Sequence, residues 1–88
     1  MKGEYPLQEA YIGMRSLTYA QRAARYLTGR GLQAAPTRAP WTGTGCAYAV
    51  SLRAGDLEKA QSLLRQANLT PGRAYLRDRE GRLREAEP

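Results

Sequence analysis

Cys46-Ala-Tyr-Ala-Val-Ser-Leu52 is the stretch whose reading decides the fold. Cys46, Tyr48, Val50 and Leu52 fall on one side of an extended chain, and Ala47, Ala49 and Ser51 on the other. That period of two marks a strand with one buried face. The bulkier set is expected to face the rest of the domain, because a one-residue slip would turn every large side chain outward. Immediately upstream, residues 39–45 are rich in Pro, Thr and Gly and read as a loop. Leu32 to Thr37 reads as the preceding strand, placed at a sheet edge by Pro36, which has no ladder donor.

Towards the N-terminus, Ala10-Tyr-Ile-Gly-Met14 predicts a strand with Ala10, Ile12 and Met14 on one face. A helix follows. Thr18-Tyr-Ala-Gln21 fits a capping box, with Ser16 as the competing cap. Leu17, Ala20, Ala23, Ala24 and Leu27 form its apolar stripe, and Gly29 and Gly31 end it. Towards the C-terminus, Asp56 caps a second helix with Leu57, Ala60, Leu63, Leu64 and Ala67 inward. Pro71-Gly72 turns into a last strand, Arg73 to Arg77. The order is β-α-β-β-α-β, which predicts an α+β, ferredoxin-like sandwich: four antiparallel strands with two helices on one face. Residues 1–8 read as an N-terminal tail, 9–77 as the single domain, and 78–88 as a charged, mobile C-terminal tail.

The chain has 88 residues and a net charge of +6. Residues 9–77 carry ten Lys/Arg against Glu9, Asp56 and Glu58, a net of +7, so the basic character belongs to the folded part. That balance suits nucleic acid, phosphate groups or an acidic protein surface, or simply a solvated basic face. No stretch approaches the roughly 20 apolar residues of a membrane span. One cysteine excludes an internal disulfide, and the N-terminus lacks the apolar run of a signal peptide. A soluble cytoplasmic protein is the expectation. With no histidine and one cysteine, Ser-His and Cys-His catalysis and a zinc site find no support. No cofactor is expected, and a non-catalytic carrier or binding protein is favoured over an enzyme.

Cys46 is the residue with chemistry to offer. In the predicted topology its strand opens at the end of the sheet where the first helix begins, near Ser16 and Thr18. Arg15, Arg38 and Arg73 belong to segments that reach the same end. Helix amides and guanidinium groups favour an anion and raise a thiolate fraction. Gly43 and Gly45 would let backbone approach a bound sulfur or small anion. The alternative is a small buried hydrophobe behind a glycine turn.

Three segments, Ser16-Leu-Thr-Tyr-Ala-Gln-Arg-Ala, Gly45-Cys-Ala-Tyr48 and Leu63-Leu-Arg-Gln-Ala-Asn-Leu69, resemble a family of small bacterial proteins described as selenium/sulfur carrier-like. The resemblance covers roughly residues 9–75. It implies sulfur or selenium handling, with Cys46 matching the family's cysteine as a persulfide-type acceptor. It also implies a donor such as a cysteine desulfurase, and an acceptor it does not identify. Many members have glycine where this chain has Ala47.

Two other readings compete. The same element order is that of the RNA-recognition motif, with Tyr11 and Tyr48 as stacking rings if both lie on the open sheet face. The bulky set's inward orientation argues against that by turning Tyr48 towards the helices. A third reading is an interaction module that forms a homodimer through a flat sheet face of Ala47, Ala49 and Ser51. Trp41 would then be a partner contact, unless it folds back over the domain.

Overall fold

The computed structural model describes residues 7–41 and 47–86. Eight residues form β1 (Leu7–Met14). The chain then turns into α1 (Leu17–Gly29), β2 (Ala34–Arg38), β3 (Tyr48–Arg53), a 3-10 turn (Ala54–Asp56), α2 (Leu57–Gln66), β4 (Ala74–Asp78) and β5 (Leu83–Ala86). The sheet order is β2-β3-β1-β4-β5, with every neighbouring pair antiparallel. Its first four positions are compatible with the ferredoxin-like arrangement.

The expectation of four strands is corrected to five. The fifth arises in the segment read as a charged tail. The Asp78 carboxylate accepts from the Glu80 and Arg82 amides at 2.9 Å each, and Gly81 takes a φ of +84°, a conformation that suits glycine. This tight turn returns Leu83–Ala86 along β4. Charges at Arg84 and Glu85 misled the sequence reading, yet such charges are normal on an edge strand.

β1 lies at the centre. Ile12 is paired with Val50 on one side and Ala74 on the other, and all three belong to the core. Ala10, Ile12 and Met14 meet Ala20, Ala23, Ala24 and Leu27 of α1 and Leu57, Ala60 and Leu64 of α2 in a single cluster. Leu17, expected in the apolar stripe, is exposed, and Leu63 and Ala67 are only partly buried. Both helices end alike. The Leu32 amide returns to the Leu27 carbonyl across Gly31 (φ +92°), and the Leu69 amide to Leu64 across Asn68 (φ +61°). Each closing leucine is buried, so each helix end is tied to the core.

Asp56 occupies the position before α2 without a side-chain cap bond. The 3-10 turn delivers the chain into the helix instead. Gln61 is the one buried polar side chain among the described residues. It follows Leu57 by one turn, so it shares the inward face.

Candidate functional site

Of the predicted anion-stabilising residues, Arg15, Ser16, Thr18, Arg38 and Arg73 belong to segments that end or begin where β1 stops. Met14 pairs with Tyr48, and Tyr48 with Arg38, so these three strand ends lie in one row. The Ala39 amide donates to the Ala47 carbonyl at 2.9 Å, carrying the β2–β3 ladder one step further. Ala47 is the residue bonded to Cys46 in the chain. Cys46 itself, Gly43 and Gly45 lie outside the described residues.

Ser16, two residues past Met14, is the helix cap: its Oγ accepts from the Tyr19 amide at 3.2 Å. Thr18 sits exposed in the first turn, so the competing cap prevails over the Thr18–Gln21 box. The first turn of α1 contains no acid to neutralise its amides.

The three arginines are placed differently. Arg15 lies 4.9 Å over the Tyr19 ring and donates to its hydroxyl at 3.2 Å. Arg38 lies 5.8 Å over Tyr48. Both rings are neutral, and among the described residues neither arginine is in an ion pair. Arg73 is brought beside Gly13 by backbone bonds, Gly13 amide to Arg73 carbonyl and Gly72 amide to Gly13 carbonyl, both 2.8 Å. Its guanidinium is 3.7 Å from Glu85, and that carboxylate offsets its charge.

A wider signal was open to the sequence reading. From Ala10 to Gly55 the chain contains six arginines and no acid. That stretch supplies most of β1, then α1, β2 and β3, so one half of the domain is uniformly basic.

The other sheet face has its own aromatic cluster. Tyr11 pairs with Tyr75, and both lie on the side away from the helices. Trp41 stacks on Tyr75, with centroids 4.3 Å apart and planes at 29°. On the same face Gly13 pairs with Ala49, and both small residues are buried. On that side of β3 Ala49 is buried, Ser51 half-buried and Ala47 exposed. Tyr11 is pinned further: its hydroxyl donates to Glu9, accepts from Arg77 at 3.3 Å, and its ring lies 5.5 Å beneath that guanidinium. Burial, then the bond to Glu9, raises the pKa of the Tyr11 hydroxyl. Tyr48 packs against the core on the helix side with Val50 and Leu52. Tyr11 and Tyr48 are thus on opposite faces.

Trp41 is the only tryptophan, which makes the stack measurable. Tyr75→Ala should shift its emission to longer wavelength and lower stability by about 0.5–1.5 kcal/mol beyond the loss of buried area. Unchanged emission would show that the indole does not depend on Tyr75.

Among the described residues no helix is long and apolar enough to cross a membrane, and no group of three or more His, Cys, Asp or Glu is placed to hold a metal. No family model matches the chain, and no curated protein or solved structure matches it either.

Proposed function

We propose that this protein is a sulfur or selenium carrier of ferredoxin-like architecture, with Cys46 as its transfer thiol, working in the reducing cytoplasm. The observation that carries the reading is the strand register. Met14 opposite Tyr48 puts the start of β3 at the end of the sheet where Ser16 opens α1, and among the described residues neither Arg15 nor Arg38 is in an ion pair. The resemblance of the segments around Ser16, Cys46 and Leu63 to the selenium/sulfur carrier-like family points the same way.

The chemistry needs little machinery. A donor such as a cysteine desulfurase presents a persulfide. The Cys46 thiolate attacks its terminal sulfur, a new S–S bond forms, the donor's S–S bond breaks, and the donor cysteine leaves as thiolate. The product is a Cys46 persulfide anion, and no external oxidant is consumed. Arg15, Arg38 and the α1 amides favour both the attacking thiolate and the persulfide. A single cysteine leaves the persulfide no partner in the chain with which to collapse into a disulfide.

The test is intact mass after incubation with a cysteine desulfurase and cysteine, beside Cys46→Ser. Gain of one sulfur atom on the native chain only, removed by a thiol reductant, is the expected result. No adduct on a thiol that iodoacetamide readily alkylates would overturn the reading and leave RNA binding by the basic half as the next subject.

A further inference from the structure

On the helix side, where β5 extends the sheet beyond α2, an open groove of about 480 Å³ lies between α2, the 3-10 turn, β4 and β5. Leu57 and Leu76 give it an apolar floor. Glu58 on α2 and Arg84 on β5 stand on different walls, and neither is in an ion pair among the described residues. Gln61 also lines it. That side chain is 5 % exposed and makes no hydrogen bond among the described residues. A buried carboxamide without partners is a destabilising group, and native chains rarely retain one without a reason.

We infer that this groove is a binding site for a free α-amino acid with an apolar side chain. Three of the four polar residues of the lining match the zwitterion part by part, and the fourth, Glu85, is paired with Arg73. Arg84 pairs with the α-carboxylate and Glu58 with the α-ammonium. The Gln61 carboxamide supplies one donor and one acceptor to the same head group. Leu57 and Leu76 receive the side chain, and the volume is in the range of small-molecule sites. A purely anionic ligand would leave Glu58 opposed, and a purely apolar one would leave Gln61 unpaired. The site is separate from Cys46 chemistry, because it draws on α2 and β5 rather than on α1 and the β2–β3 ladder.

L-Leucine and L-methionine are the probes, titrated by calorimetry against the full chain. Saturable binding of at least one is expected, weakened at least tenfold when the ammonium is blocked (N-acetyl-leucine) or the carboxylate is blocked (leucinamide). Gln61→Met keeps the length and removes the unpaired amide. It should abolish binding while raising Tm by about 4–8 °C, the shift expected of roughly 1 kcal/mol in a domain of this size. A fall in Tm would show that Gln61 is satisfied within the fold and would overturn its role. Gly55→Leu provides a second variant: Gly55 lines the groove and a Cβ there meets no atom within 4 Å, so the larger side chain is accommodated without a clash. It should block binding with the fold retained. Absence of binding by both amino acids overturns the proposal, as does N-acetyl-leucinamide binding as tightly as leucine, which would mark a peptide site.

Discussion

Replacing Arg15 and Arg38 together by glutamine is expected to slow alkylation of Cys46 by iodoacetamide about tenfold at pH 7. An exposed charge acting on a nearby anion is worth up to about 1 kcal/mol, and about 1.4 kcal/mol in sum corresponds to a factor of ten. The reagent is neutral, so the rate follows the thiolate fraction rather than steering. Positive charge favours the thiolate; removing it returns the proton to sulfur at neutral pH. The difference between variant and native chain should therefore shrink once pH rises well above the ordinary thiol range near 8.5. Salt should slow the native protein and leave the double variant almost unaffected. Arg73→Gln should do little, because Glu85 already offsets that charge at 3.7 Å. Conversely Glu85→Gln should quicken the reaction. Identical rates for the double variant and the native chain at pH 7 would remove both arginines from the thiol's surroundings and weaken the carrier reading.

Ile12→Ala is expected to cost about 2–5 kcal/mol, the range for truncating a large buried aliphatic side chain. A domain of 88 residues has a total stability of about 4–13 kcal/mol at ordinary values per residue. The substitution therefore removes a large share of it and leaves a fraction of the chain unfolded at growth temperature. Ile12 is fully buried, sits in the central strand and is flanked by Val50 and Ala74. No neighbouring strand can move in to close the cavity without breaking a ladder. Urea unfolding followed by circular dichroism gives the number. A loss under 1 kcal/mol would mean that the core yields around β1 far more than its packing implies.

Much of this architecture was legible because its signals are local. Val50 and Leu52 alternate with Ala49 and Ser51, and the structure keeps that parity, with Tyr48 on the helix side. Gly31 ends α1 as a glycine in the left-handed region should. The misses have physical causes. Ser16 and Thr18 are equally good caps by residue type, and only the helix start chooses between them. β5 is made from charged residues whose pairing depends on a turn set by Asp78 and Gly81. Leu17 satisfies helical periodicity but, as the first residue of α1, stays exposed. Gln61 fits the inward stripe by spacing and is buried despite its polarity. At the candidate site, Arg15 and Ser16 follow the end of β1, and Arg38 ends β2 opposite Tyr48. The Glu85 partner of Arg73 was beyond reach, since it sits on the strand that was not foreseen.

Both outer strands of the sheet are poor templates for another chain. β2 carries Pro36 in the middle of its five residues, which interrupts its row of donors. β5 is only four residues long and bears Arg84 and Glu85 at its centre. Growth of the sheet by addition of further copies is thus blocked at either side, one by a missing donor and the other by charge and brevity. Concentrated solutions should resist fibril formation, and Pro36→Val is the substitution by which that resistance would first be lost.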